Sequence, residues 1–465
     1  MAKQKKARAR ISRPKTKPNK AKTIATRAKP GKVWLVAVDM GYGHQRPAHA
    51  LKHLAHSPVI TANNYLGIPV KDRNVWLNSQ KFYEYVSRIK HIPFIGGWIF
   101  DTYDKFQSIG QYYPYRDLSK PNFAVKQTYR LFKKGWGKHL IDKLSKQPTP
   151  LITTFFTVAF MAEYHNYPGP IYCVTTDSDI SRAWAPLEPH KTRIIYLAST
   201  DRAYSRLKEY GIPEKNILLC GFPLPQENIG DERLLHLKER ILNRLSNLDP
   251  NHSYLKRHYQ DMARYLGAAF YPKKADHPIT ITFAVGGAGA QKEIGIELAK
   301  SLAPQLCKQE LRINLVAATH KFVRDYFQEE LRKQGLDHLY GSCINIIYEP
   351  TKDKYFETFN QIIDQTDVLW TKPSELCFFA GLGIPIILSP TIGAQEDSNS
   401  RWVKNMGAGF EQGDPQYANE WLLDWIQKGF LAEAAMKGFI EAPYLGTLNV
   451  ERALAGKSML KLYDY

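Results

Sequence analysis

The sequence predicts an α/β protein built from two Rossmann-like domains in tandem, and three observations carry that reading. Apolar runs of buried-strand length, at 33–38 and 279–285, are each followed by a glycine-rich turn and then by helical periodicity. Shorter apolar runs recur after each of them between helical segments, as a mostly parallel sheet requires. At 465 residues, 44% hydrophobic and 23% charged, the chain is long enough for two such domains and apolar enough to pack both.

The elements follow in order. Residues 1–32 hold thirteen Lys or Arg and no acid, which leaves only +7 of the net +20 for the rest. Such a segment cannot bury enough surface to offset chain ordering, so it reads as a disordered basic tail. Its candidate roles are contact with an anionic membrane surface, contact with a polyanion, or solubility. Without interleaved aromatics or a base-reading motif it predicts no sequence-specific nucleic-acid partner, and without an apolar core it is no secretory signal. The first Rossmann-like domain is expected at 33–225, with strands at 33–38, 151–156, 171–175, 193–198 and 217–219. Within it, 76–116 is dense in aromatics, among them Trp76, Trp98, Tyr103 and Tyr113. That stretch reads either as packing on the domain or as an amphiphilic surface for an apolar acceptor. Residues 226–278 are charged and helical in composition, a connection or insertion. The second domain is expected at 279–445, with later strands at 313–318, 343–348, 367–370 and 384–389, and a closing helix at 446–465.

No stretch approaches the ~18 apolar residues of a spanning helix. The five cysteines lie far apart and show neither metal-ligand spacing nor disulfide-scaffold density, so they read as buried thiols in a reducing compartment. The expected location is therefore cytoplasmic, at most peripheral to a membrane. No residue cluster predicts a metal site, and nothing in the sequence specifies an oligomeric state.

Chemistry is concentrated where strands end. Gly41-Tyr42-Gly43-His44-Gln45-Arg46-Pro47-Ala48 turns the first strand into its helix. Glycines allow the tight turn, the helix start offers free N–H groups, and the His44 imidazole can take a proton from a hydroxyl near neutral pH. A capping histidine or a phosphate contact is the alternative reading. Val174-Thr175-Thr176-Asp177-Ser178-Asp179 follows another strand, with Arg182 and Trp184 behind it. Asp177 or Asp179 can orient a hydroxyl or support a histidine there, or simply cap a helix. Gly286-Gly287-Ala288-Gly289-Ala290 offers backbone N–H groups to a diphosphate, although it lacks both the Walker lysine and the full dinucleotide fingerprint. The densest constellation is Thr371-Lys372-Pro373-Ser374-Glu375, then Gly383-Ile384-Pro385, then Ala394-Gln395-Glu396-Asp397-Ser398-Asn399. Carboxylates grip sugar hydroxyls, amides give directional neutral bonds and a helix start favours phosphate, so this region predicts ligand binding.

Together these motifs resemble glycosyltransferase family 28, with a pattern most similar to its monogalactosyldiacylglycerol-synthase-like glycolipid enzymes. Gly43-His44-Gln45-Arg46-Pro47-Ala48 resembles the G-H-x-x-P-A signature, and Gly286-Gly287 the central glycine loop. Thr371-Lys372-Pro373, Gly383-Ile384-Pro385 and Gln395-Glu396…Asn399 resemble the donor region, and the segment from Val174 to Trp184 and Gly221-Phe222-Pro223 resemble the same branch. The resemblance spans about 33–445, without the tail or the 226–278 insertion. It implies a GT-B fold: two Rossmann-like domains facing a cleft, acceptor on the first and nucleotide-sugar on the second. It also implies an inverting transfer of a hexose from a uridine-diphosphate sugar to a lipid-like hydroxyl, with no cofactor or metal required.

His44 would be the base, supported by Asp177. Gly43, Asp179, Trp184, Gly286, Gly287, Thr371, Lys372, Gln395, Glu396 and Asn399 would line the substrates. One departure stands out: Ser374-Glu375 replaces a glycine pair, and Phe378 occupies the position of a ribose-binding glutamate. Glu375 is then the candidate ribose contact from a shifted register. A nucleotide-sugar epimerase or hydrolase, or a non-catalytic nucleotide-sugar sensor or polyanion-binding protein, also fits the same cleft.

Overall fold

A computed structural model describes residues 33–78, 109, 113–114, 117–267, 274–285, 289–391 and 394–462. The basic tail, Gly286, Gly287 and most of the aromatic stretch lie outside these residues.

The first sheet holds six parallel strands: β1 (Trp34–Ala37), β2 (Ile60–Thr61), β3 (Leu151–Thr153), β4 (Ile171–Val174), β5 (Ile195–Ala198) and β6 (Ile217–Leu219). Their order across the sheet is β2-β1-β3-β4-β5-β6. The register pairs Trp34 with Leu151, Leu151 with Ile171, and Tyr172 with Ile195. β1, β3 and β4 are almost wholly buried, because helices cover both faces of a parallel sheet and leave no solvated side.

The second sheet repeats the plan with β7 (Ile279–Ala284), β8 (Leu311–Ala318), β9 (Ile344–Tyr348), β10 (Val368–Thr371), β11 (Ile386–Leu388) and β12 (Gly409–Glu411). Its order, β12-β11-β10-β7-β8-β9, is again parallel throughout. Each sheet therefore has a point where the chain reverses its direction of growth, between β1 and β3 and between β7 and β10. At such switch points the connections diverge to opposite faces and leave a crevice at the carboxyl ends of the strands.

The helices that matter for function are α1 (Tyr42–Ala50), α2 (Phe156–Tyr164), α3 (Leu235–Leu248), α4 (Ser253–Leu266), α5 (Lys352–Ile363), α6 (Ala394–Asn405) and α7 (Gly446–Leu454). The apolar run expected as one strand over 151–156 divides. β3 ends at Thr153 and Phe156 opens α2, because a short apolar run has no periodicity to separate strand from buried helix. β2 and β12, each at one edge of its sheet, were not expected; at two and three residues they are too short to show alternation. α3 packs into the second domain's core through Leu237, Ile241, Leu245 and Leu248.

The chain then crosses back. α7 lies on the first domain, where Val450 and Leu454 share an apolar cluster with Val33, Leu35, Ala37 and Leu197. The crossing is tight: a Cβ on Gly446 would sit 2.2 Å from the Phe222 carbonyl carbon, so only glycine fits. Beside it, Phe222 stacks on Phe378 of the second domain at 4.0 Å between ring centroids. Regular helix stops at Leu454, short of the expected 465, as the chain turns at Ala455-Gly456. Two Rossmann-like domains facing one cleft, the GT-B arrangement, are the architecture of the chain.

Candidate functional site

α1 begins at the carboxyl end of β1, on the switch point. Gly41 precedes it with φ 101°, a conformation that L side chains rarely adopt, and this sharp entry sets His44 in the first turn. Pro47, inside the helix, has no N–H for the Gly43 carbonyl, which leaves that acceptor outside the helical ladder.

His44 reaches across the switch point. Its Nδ1 lies 3.0 Å from the Thr154 carbonyl, just beyond β3, and 3.1 Å from Thr176 Oγ1, just beyond β4. The Thr154 hydroxyl returns a bond to the His44 carbonyl at 2.6 Å. A carbonyl can only accept, so Nδ1 carries the proton and Nε2 keeps its lone pair. Among the described residues Nε2 has no hydrogen-bond partner. Phe155 meets the ring edge-on at 4.7 Å and Trp184 lies at 6.5 Å. Desolvation by these neighbours disfavours the imidazolium and pulls the pKa down to about 4, against a smaller upward pull from the Thr154 carbonyl.

The other candidates of the first domain separate. Asp177 sits beyond β4 with its carboxyl pushed up to about 7, chiefly by desolvation, with the Asn399 side chain bonding it and the nearby Glu375 raising it further. Its partner is thus Asn399 of the second domain, whereas His44 is held by Thr154 and Thr176. Asp179 turns the other way. Arg206 grips it at 2.9 Å, Arg202 lies at 3.8 Å, and its Oδ1 accepts from the Ile180 N–H, all within the first domain. Trp184 is a buried wall 5.1 Å from Phe156.

In the second domain, Thr371 ends β10 and donates its hydroxyl to the Ala284 carbonyl across the switch point at 3.2 Å. Lys372 follows and pairs with Glu396 in the first turn of α6, joining the two polar turns. Gln395 lies in that same turn of helix. Asn399, buried, accepts through Oδ1 from the Ser178 N–H at 3.1 Å and from its hydroxyl at 2.7 Å. Glu375 is buried with Oε1 3.3 Å from Arg46 Nε, and a methyl on Gly43 would lie 3.8 Å from its Oε2. The structure thus brings the turns that carry Gly43, His44, Asp177, Glu375 and Asn399 into contact, with the Lys372–Glu396 pair on the second-domain side.

Sequence reasoning missed several residues of this contact. Thr154, Thr176 and Ser178 hold His44 or Asn399, and Arg46 holds Glu375. A signal was present: hydroxyl doublets, Thr153-Thr154, Thr175-Thr176 and Ser199-Thr200, stand at the carboxyl ends of three consecutive buried strands. Such residues at the carboxyl edge must find partners there. Among the described residues no group of three His, Cys, Asp or Glu is arranged to hold a metal, and no helix is long and apolar enough to cross a membrane. Of the aromatic stretch, Trp76 is buried against Trp136 at 4.8 Å and Phe155 at 6.1 Å, while Tyr113 is 63% exposed.

No protein-family model matches the sequence, and no curated protein sequence does either. Among solved structures the chain is similar to MurG from Acinetobacter baumannii, at 14% identity over 91% of this chain and 99% of that one, TM-score 0.46. It is also similar to a UDP co-structure of S. aureus MnaA, at 13% identity over 74% and 85%, TM-score 0.44. A third is UDP-GlcNAc 2-epimerase from Neisseria meningitidis bound to UDP-GlcNAc, at 12% identity over 72% and 81%, TM-score 0.40.

Proposed function

We propose that the chain is an inverting glycosyltransferase that moves a hexose from a uridine-diphosphate sugar to a lipid-like hydroxyl acceptor. One observation supports the reading: the histidine turn at the first switch point and the polar turns at the second are bridged by Arg46–Glu375 and Ser178–Asn399. Between these turns the acceptor hydroxyl gives its proton to His44 Nε2 as its oxygen attacks the anomeric carbon. The bond from that carbon to the diphosphate breaks, and its electron pair leaves on the phosphate oxygen. Lys372 and the first turn of α6 meet the charge that develops there, with Gly286 and Gly287 as the proposed cradle for the same phosphates. Thr371, Glu375, Gln395, Glu396 and Asn399 are proposed for the donor's hydroxyls and phosphates, and Gly43 and Trp184 for the acceptor side. With its pKa pulled down to about 4, His44 is unprotonated at pH 7 and Nε2 can take the proton without prior deprotonation, as a weaker base than an ordinary imidazole.

The test is incubation with a panel of uridine- and guanosine-diphosphate sugars and membrane lipids, followed by mass analysis. A new glycoside supports the proposal. A released or altered sugar without a glycoside supports the hydrolase or epimerase reading, which Asp177 specifically favours, since a carboxyl titrating near 7 beside Glu375 is a ready proton donor. Binding of a nucleotide-sugar without turnover supports a sensor.

A further inference from the structure

α1 is held from both sides. His44 and Arg46 are two residues apart, about 200° around a helix of 3.6 residues per turn, so their side chains leave on opposite faces. His44 faces the first sheet's edge, as described. Arg46 leaves the first domain altogether and is 2% exposed in the second. Its Nε bonds Glu375 Oε1 at 3.3 Å and its Nη2 donates to the Tyr355 hydroxyl at 3.1 Å. The guanidinium carbon lies 4.3 Å from the Phe359 ring centroid and 4.9 Å from that of Phe356. Around it, Tyr42 meets the Thr319 hydroxyl at 2.9 Å, Lys52 meets Glu357 at 3.1 Å, and Lys352 pairs with Asp39.

Two features mark Arg46 as more than one contact among these. It is the buried charge of the set, and among the described residues its Nη1 is enclosed without a hydrogen-bond partner, a cost that packing alone would not select. Its anionic partner is Glu375, three residues after Lys372, whose second oxygen lies toward Gly43 beside His44. One guanidinium nitrogen, Nε, meets that carboxylate and another, Nη2, meets the Tyr355 hydroxyl, so the rigid plane ties Glu375 to a fixed second-domain group.

We propose that Arg46 is a positioning residue: by holding Glu375 it sets the reach from His44 to the donor-binding turns, so that base and donor half keep a common register. This rests on the transferase reading above. A displacement of about 1 Å in such a register costs on the order of 100-fold in rate. A lysine ammonium cannot hold Glu375 and Tyr355 from two nitrogens of one rigid plane, so charge alone does not restore the arrangement.

The experiment compares Arg46→Lys, Arg46→Met, Glu375→Gln and the double variant Arg46→Met/Glu375→Gln with the unmodified chain. The readouts are steady-state transfer, UDP binding by calorimetry, thermal unfolding and small-angle X-ray scattering. Expected are a fall in kcat of about 10–100-fold in Arg46→Lys and Arg46→Met, with UDP affinity within about threefold. The loss in the double variant should be smaller than the product of the two single losses, since the two residues act as a unit. The scattering profile of Arg46→Met should widen as the domains part. Folded Arg46→Lys with kcat within about twofold, losses confined to donor KM, or losses that multiply in the double variant each overturn the proposal. Should Arg46→Met fail to fold, Arg46→Lys carries the same readouts. If the unmodified chain transfers no sugar, the transferase reading has failed instead, and scattering still decides whether Arg46 holds the two halves in register: an unchanged Arg46→Lys and Arg46→Met profile overturns it.

Discussion

The two sheet edges that border the cleft solve opposite electrostatic problems. The first is lined by buried neutral hydroxyls: Thr153, Thr154, Thr175, Thr176, Ser178, Ser199 and Thr200 are all close to fully covered. Among the described residues no counter-ion at this edge shifts His44, and desolvation moves both titrating groups toward their neutral forms, His44 down to about 4 and Asp177 up to about 7. The second edge carries charge and matches it in pairs, Lys372 with Glu396 and Glu375 with Arg46. A neutral edge suits a base that must hold an unprotonated nitrogen; a charged edge suits an anionic ligand. The glycine turns alone, alike in sequence, do not reveal this division of labour.

The comparison breaks most visibly if His44 is not the base. His44→Ala should lower kcat for transfer by about 10²–10⁴-fold while UDP binding, assigned to the other edge, stays put. Unchanged rates at saturating donor and acceptor would remove the first edge from the chemistry. The pH profile of kcat should keep its acid limb near 4 rather than 6.5, because the folded site resists protonation.

Lys372→Ala addresses the second edge and should weaken UDP binding by about 10–100-fold, the range for a charge-assisted bond of 1.5–3 kcal/mol. Calorimetry showing equal affinity would mean that Lys372 serves only Glu396.

Asp177→Asn sharpens the account of the neutral edge. A carboxyl raised from 3.8 to about 7 contributes stability that is complete below pH 4 and is lost as pH rises through 7. The amide does not ionise, so the variant should be more stable than the unmodified chain at pH 8, by roughly 4 kcal/mol, and equal to it near pH 4. Urea midpoints at the two pH values measure this; a gap that widens toward low pH contradicts it. His44 runs the other way, its lowered pKa removing stability as pH falls from 6.5 toward 4.

The smallest effect belongs to Thr176→Val. Losing one of the two oxygens beside His44 Nδ1 should cost about 1 kcal/mol of orientation, roughly a fivefold fall in kcat, since the Thr154 carbonyl remains. A loss as large as that of His44→Ala would show the hydroxyl, not the carbonyl, to be the orienting group.

Much of the fold was legible because burial on both faces writes continuous apolar runs such as those at 279–285 and 313–318, and because glycine must stand where β1 turns into α1. The short outer strands β2 and β12 were not legible, since pairing with a neighbour and not their own pattern makes them strands. Within the site, residue types at strand ends pointed to the cleft, whereas partners did not follow from spacing. Asp177 and Asp179 are two positions apart, yet one bonds Asn399 across the cleft and the other Arg206 in its own domain.

The sequence by itself determined that two parallel sheets would form and that polar turns would stand at their carboxyl ends, because periodicity, burial and turn chemistry are local properties. Only the tertiary structure decided that Arg46 crosses to Glu375, that a backbone carbonyl fixes the His44 tautomer, and that His44 and Asp177 are neutralised together. Those outcomes depend on which groups meet across hundreds of residues and on how much water is left between them.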